Sequence, residues 1–348
     1  MKDEGDIKAA IASYRAALKI EPDHAKVLCN LGNALKDGGE LEQALDSYRQ
    51  ALQIDPDFAE AYNNMGSALM TRADTAEAIN CYKQALALRP DYADAAWNLV
   101  GTATNSGEAE DWLGRCLALE QDHISARLNR CVLQFYKGDR SDFDQLRQSE
   151  LGDHPLLRSL AWLTTLPSLP ELHFNRWSFF DSIIARSDRS RPFYEFGVFT
   201  GEAFRYLMRS FDHGFGFDTF AGLPEDWHDE KAGSYSSAGK IPVIEGGEFI
   251  AGEFEASLPK FFAEPRPLAA LINFDADLYS STLCALTNAK PVIDGQTLLI
   301  FDEFIVNEHW EQDEYKALSD YCAENDCSYE VIAVSFFTKQ SAVRLVGI

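Results

Sequence analysis

Two pairs of carboxylates stand directly after apolar runs in this 348-residue chain. In LINFDADLYSST, residues 271–282, Asp275 and Asp277 follow a run that reads as a buried strand. In TLLIFDEF, Asp302 and Glu303 close another. Carboxylates gathered at the ends of neighbouring strands can do two kinds of chemistry. Oxygen-only ligands suit a hard cation such as Mg²⁺ better than zinc, and a carboxylate close to a weakly acidic hydroxyl can take its proton. Crowding three such groups together without a cation among them costs strong mutual repulsion. The plainer alternative is that Asp275 and Asp277 cap a helix or contact a ribose, and that Asp302 is a structural acid.

Upstream, EFGVFTGEAF carries Glu195, Gly197 and Gly201, and GFGFDTF ends on Asp218, seventeen residues past Gly201. The glycines permit a tight turn and close approach of a ligand to backbone. The turn is not G-x-G-x-x-G, which disfavours a dinucleotide. An acid followed by G-x-x-x-G resembles instead the S-adenosylmethionine (SAM) loop of class I methyltransferases. That resemblance implies a SAM site formed by Glu195, Gly197, Phe199, Thr200, Gly201, Asp218, Thr219, Gly252, Phe254 and Asp275, with Asp218 accepting both ribose hydroxyls.

The likeness narrows over four ordered blocks, FGFDTFAGLPEDW, GEFEASLPKFF, LINFDADLYSSTLCAL and LLIFDEF. Together they resemble the macrocin O-methyltransferase family, metal-dependent enzymes that methylate sugar hydroxyls. The family pattern implies Mg²⁺ held by Asp275, Asp302 and Glu303, with Asp277 as general base. Glu303 departs from the usual second Asp at its position. A sugar hydroxyl is far too weak an acid to attack a methyl sulfonium near neutral pH, and a divalent ion with an adjacent carboxylate would remedy that. Residues 221–247, rich in Gly and Ser, read as a lid over cofactor and acceptor. Trp227, His228, Lys231 and Tyr235 on the lid, with His309 and Trp310 after the second acidic strand, are candidate substrate contacts.

The elements that must hold these residues are legible in the same chain. RPFYEFGV, EAFRYLMRSF, GFGFDTF, EFIAGEF, LAALINFDAD, TLLIFDEF, YEVIAVSF and SAVRLVGI alternate strand-like and helix-like segments. Their order predicts an open, mostly parallel α/β sheet with ligands at the carboxyl ends of its strands.

The first third is different. ALKIEPDHA, ALQIDPDFA and ALALRPDYA place Pro22, Pro56 and Pro90 at a period of 34, and Tyr14/Tyr48/Tyr82, Ala10/Ala44/Ala78 and Leu18/Leu52/Leu86 keep the same step. Small and large apolar residues in register are what stacked helix pairs need. The pattern resembles the tetratricopeptide repeat. The chain opens in mid-repeat, so further repeats before Met1 are an open question. A degenerate repeat follows Pro90. Asn30, Asn64, Asn98 and Asn129 recur on successive first helices at steps of 34, 34 and 31. In similar repeats such an Asn ladder binds an extended peptide, whereas the plainer reading makes it a consensus feature. A protein or peptide partner, or a homodimer, is the expected use of the array.

Composition bounds the rest. A formal charge of −24 with a hydrophobic content of 46% argues for packed cores and against gripping a nucleic-acid backbone. No signal peptide or membrane-spanning run is visible, which predicts a cytoplasmic protein with no membrane partner. The seven cysteines are scattered with no C-x-x-C, consistent with reduced thiols. The expected organisation is a multidomain chain. An all-α tetratricopeptide repeat solenoid at 1–150 is followed by a helical joint at 151–170 and an α/β Rossmann-like class I methyltransferase domain at 171–348. The expected activity is SAM- and Mg²⁺-dependent O-methylation of a sugar or glycoconjugate. A catechol-type O-methyltransferase and an inactive scaffold that only binds a protein are the alternatives.

Overall fold

The computed structural model describes residues 4–348, which fall into two compact units: residues up to 103 with 107–126, and 104–106 with 127–348.

The first unit is built of antiparallel helices: α1 (Glu4–Ile20), α2 (Ala25–Asp37), α3 (Leu41–Ile54), α4 (Ala59–Thr71), α5 (Thr75–Leu88), α6 (Ala93–Val100) and α7 (Ser106–Leu119). Its periodic residues do the interlocking. A Cβ on Gly32 would lie 2.5 Å from the Tyr48 ring, and one on Gly66 would lie 2.7 Å from the Tyr82 ring. Only a missing side chain on one helix lets the tyrosine of the next approach so closely. Pro22, Pro56 and Pro90 all stand in the turns between helices, where the lost N–H costs no helical bond. After Pro90 the regularity decays: α6 has 8 residues where α2 and α4 have 13.

The second unit begins inside α8 (Ile124–Tyr136) and continues through α9 (Ser141–Arg147), α10 (Pro155–Leu163), β1 (Glu171–His173), α11 (Arg176–Arg186), β2 (Phe193–Phe196), α12 (Glu202–Leu207), β3 (Gly214–Asp218) and β4 (Gly247–Ala251). It then runs through α13 (Phe254–Phe261), β5 (Leu271–Phe274), α14 (Tyr279–Ala289), β6 (Leu298–Phe301), α15 (Glu314–Glu324), β7 (Ser328–Ser335) and β8 (Ser341–Val346). The strands form one sheet in the order β1-β7-β8-β6-β5-β2-β3-β4. All neighbours are parallel except β8, which is antiparallel to both β6 and β7. This is a Rossmann-like arrangement, as the alternating segments predict. The short edge strand β1 is an addition, since three residues carry no readable period.

Strand alternation divides the core between the two faces of the sheet. Tyr194, Phe196, Ile272, Phe274 and Phe301 pack with Leu128, Cys131, Leu157 and Leu160 of α8 and α10. Phe193, Leu271 and Ile300 pack with Phe179, Phe180 and Phe204 of α11 and α12. The change of sequence character near 150–170 and the change of packing unit at 127 are therefore separate boundaries. The helices between them bury their apolar faces on the sheet. All seven cysteines are free. No helix among the described residues is long and apolar enough to cross a membrane.

Candidate functional site

Strand β2 pairs in parallel with β3 on one side and β5 on the other. The chain leaves β2 in one direction and later returns on its other flank, which opens a crevice at the strands' carboxyl ends. The turn after β2 is shaped by Gly197 at φ +91°. A Cβ there would lie 1.8 Å from the carbonyl oxygen of Asp275, so no other residue fits. Asp218, at the end of β3, fastens this turn: one carboxylate oxygen accepts the N–H groups of Val198 and Phe199, each at 2.7 Å. The other accepts the N–H of Phe220 at 2.6 Å. A carboxylate has about four lone-pair directions. With three of them turned to backbone, Asp218 cannot also accept both hydroxyls of a ribose at full strength. Its first task in this structure is holding the loop.

A cavity of about 250 Å³ fills the crevice. Its walls include Gly197, Phe199, Asp218, Thr219 and Phe254, together with Asp275, Asp277, Asp302 and Glu303. Both acidic strand ends and the glycine turn thus meet in one place. Glu253 and Glu255 add to the same wall, making seven carboxylates, and no Lys, Arg or His lines it. Of the other expected cofactor residues, Gly201 caps α12 at φ +84°, and Gly252 donates its N–H to the Asp218 carbonyl at 2.9 Å. These two, Thr200 and Glu195 shape or underlie the site without lining the cavity. Glu195 is 1% exposed with one carboxylate oxygen unpartnered, and burial, then Asp275, hold its carboxyl well above the ordinary range.

Burial dominates the electrostatics of the acids themselves. It pushes the Asp275 carboxyl up to about 8, assisted by Asp302 and opposed by Arg176. It raises Asp277 well above its usual value, with Asp275 and Glu303 adding to the effect, and raises Glu303. Asp277 also sits at φ +59°, a conformation that an aspartate adopts at a cost. Among the described residues its carboxylate makes no hydrogen bond or ion pair.

The expected magnesium ligands share this cavity wall without forming a metal cradle. Among the described residues no group of three His, Cys, Asp or Glu side chains has the arrangement to hold a metal ion. Each of the three acids has a partner in this structure. The Arg176 guanidinium reaches Asp302 at 3.0 Å and Asp275 at 3.4 Å. Gln340 donates to Asp302, and Lys339 meets both oxygens of Glu303 at 3.1 and 3.0 Å. The structure therefore does not support the Mg²⁺ site.

The lid segment is irregular, with Trp227 and Tyr235 on the cavity wall. Ser280 bonds Glu225 at 2.6 Å, and His228 meets both oxygens of Asp313 at 3.0 and 3.1 Å, so the segment is fastened across the crevice. His309 stacks on His228 with ring centres 4.1 Å apart. Neither histidine lines the cavity. Lys231 is exposed and paired with Asp226. Trp310 corrects an expectation: it is 3% exposed and packs against Trp162 and Tyr315, a core residue rather than a substrate wall.

Arg176, Glu314, Lys339 and Gln340 are absent from the sequence reading. Arg176 stands 99 residues before Asp275, and no local pattern joins them. Glu314 is fully buried, accepts the Glu303 N–H at 3.0 Å, and is held well above the usual carboxylate range by burial and Asp277.

In the first unit Asn30, Asn64 and Asn98 occupy equivalent places on α2, α4 and α6, all partly exposed. Asn98 donates to Asn63 at 2.9 Å and Asn64 to the Cys29 sulfur at 3.6 Å. Asn129 is buried and belongs to the second unit.

Comparison with known proteins identifies the repeats. The profile described as TPR repeat matches residues 2–38 and 32–71, and the tetratricopeptide repeat profile matches residues 59–92. No curated protein matches the chain. Solved structures similar to parts of it include MamA, 28% identical over 40% of this chain and 82% of that one, with a TM-score of 0.36. The calicheamicin methyltransferase CalS11 is 19% identical over 58% and 89%, at 0.40. The O-methyltransferase NovP is 20% identical over 49% and 80%, at 0.37.

Proposed function

We propose that the chain is a SAM-dependent O-methyltransferase carrying a tetratricopeptide repeat region that recruits a protein partner. One observation carries the reading. The switch-point cavity is lined by seven carboxylates and no basic side chain, and the backbone N–H groups of its glycine turn are taken by Asp218. Arg176 and Lys339 balance Asp275, Asp302 and Glu303 from behind the wall, while Asp218, Glu253 and Glu255 have no basic partner among the described residues, so the site is unsuited to nucleotides and dinucleotides, which need free N–H donors or cations for their phosphates. It suits a cationic nucleoside, and SAM carries a sulfonium and an ammonium. When bound, SAM supplies a methyl group on positively charged sulfur, which leaves as a neutral thioether.

The chain's own residues do the remaining work. Phe199 and Phe254 offer apolar walls, Gly197 lets a ligand approach the backbone, Asp218 holds the glycine turn, and Thr219 donates to the Gly222 carbonyl at the start of the lid. Asp277, whose carboxylate makes no hydrogen bond or ion pair among the described residues, in its ionised form takes the proton of the acceptor hydroxyl as the oxygen–methyl bond forms and the sulfur–methyl bond breaks. The lid excludes water. We take the acceptor to be a hydroxyl of a sugar or glycoconjugate, from the resemblance of the four blocks. The partly exposed Asn30, Asn64 and Asn98 are the proposed recruiting contacts. The magnesium-assisted version of the reaction is not adopted, because the three acids it needs are paired elsewhere.

Calorimetry with SAM and with NAD tests the cavity. SAM binds and NAD does not, and Asp277→Asn keeps SAM affinity while turnover of labelled SAM onto acceptors in a cell extract drops by about 10²–10⁴. Binding of NAD but not SAM would overturn the reading.

A further inference from the structure

Arg176 is the first residue of α11, whose N-cap Asn175 accepts the N–H groups of Trp177 and Ser178. A cation in the first turn of a helix opposes the macrodipole, so its place needs another cause. That cause is in front of it. Its guanidinium bridges Asp302 at 3.0 Å and Asp275 at 3.4 Å, carboxylates at the ends of two adjacent parallel strands. Glu195 adds to the same field from β2. The Trp177 and Phe180 rings lie 5.8 Å from the guanidinium carbon and limit its movement. The third acid of the cluster, Glu303, holds Lys339 instead.

We propose that Arg176 is the resident cation of this cluster and replaces a divalent ion there, so that the site does its chemistry without bound metal. Both contacts are made by one guanidinium nitrogen, Nη2, which places a single positive charge between the two carboxylates as an ion would, and the guanidinium keeps that charge at every physiological pH. Resting on the methyltransferase reading, the inference makes Arg176 a positioning residue: it fixes Asp275 and Asp302 beside Asp277 and offsets their repulsion. A divalent ion placed between the same oxygens would meet the guanidinium's charge at contact distance.

The test reads metal binding, not activity. Mn²⁺ is titrated into the full chain, and the free ion is followed by electron paramagnetic resonance. Wild type leaves Mn²⁺ free up to roughly millimolar concentration, and Arg176→Lys, which keeps the charge, does the same. Arg176→Ala, shown folded by circular dichroism, binds one Mn²⁺ at least about tenfold more tightly than wild type, and adding Asp302→Asn abolishes the gain. One Mn²⁺ bound per wild-type chain and lost in Asp275→Asn would overturn the proposal, as would a folded Arg176→Ala chain that leaves Mn²⁺ free. Should Arg176→Ala not fold, the wild-type titration alone decides. SAM calorimetry in EDTA separates the two ideas: absent SAM binding sinks the methyltransferase reading and leaves the metal result standing.

Discussion

Replacing Asp218 by Asn tests how the glycine turn is held. The carboxylate accepts three backbone N–H groups at 2.7, 2.7 and 2.6 Å. Bonds to a charged acceptor contribute roughly 1.5–3 kcal/mol each and neutral ones about 0.5–1.5. Asn keeps one carbonyl oxygen, so the two bonds from Val198 and Phe199 survive at neutral strength, each losing about 1 kcal/mol. Its amide nitrogen then faces the Phe220 N–H, donor against donor, which costs about another 1–3 kcal/mol. Because Asp218 is only partly buried, solvent recovers part of this, leaving about 2–4 kcal/mol. For a unit of this size each kcal/mol moves the melting temperature by about 2–4 °C, so the ligand-free sheet unit melts roughly 5–15 °C lower. Scanning calorimetry without SAM measures the shift. A variant that melts with wild type yet loses SAM affinity would show that the carboxylate serves the ligand and not the loop, refuting the reasoning.

Stability should also depend on pH in an unusual direction. Asp275 is pushed up to about 8, and Glu195, Asp277 and Glu314 are raised as well. A carboxyl with a raised folded value contributes its full stability below the unfolded value, near 4, and loses it as pH rises through the folded value. The sheet unit therefore melts progressively lower from about pH 5 to pH 9, and Asp275→Asn flattens the slope; a melting temperature that rises over this range contradicts the assignment. In the repeats, Gly66→Ala sets two effects against each other. Alanine is the better helix former by about 1 kcal/mol, but its Cβ would lie 2.7 Å from the Tyr82 ring, which is 2% exposed and cannot swing clear. Overpacking of about 1–3 kcal/mol should win, and a thermal melt above wild type would show that the ring yields.

What the sequence determined by itself is whatever repeats or alternates locally. The 34-residue period in the Pro, Tyr, Ala and Leu columns predicts stacked helix pairs whatever else the chain does, and the structure adds why Tyr48 and Tyr82 fit, against Gly32 and Gly66. The buried strands before Asp218, Asp275 and Asp302 are apolar runs long enough to identify, and their carboxyl ends are where a parallel sheet opens. Gly197 was readable as a position needing no side chain, and the structure supplies the reason in the Asp275 carbonyl behind it. Tertiary structure alone decided which charges meet. Arg176, Lys339 and Gln340 come from a helix start and the turn between the last two strands, and they reach the acids only because β5, β6, β7 and β8 lie side by side. Trp310 reads as an exposed aromatic in a polar loop, yet it is buried because Trp162, far away in sequence, folds over it. Local pattern reports the conformation a segment prefers. The partner of a buried charge depends on long-range packing, and that partner settles whether a cluster of carboxylates is balanced by a side chain or by an ion.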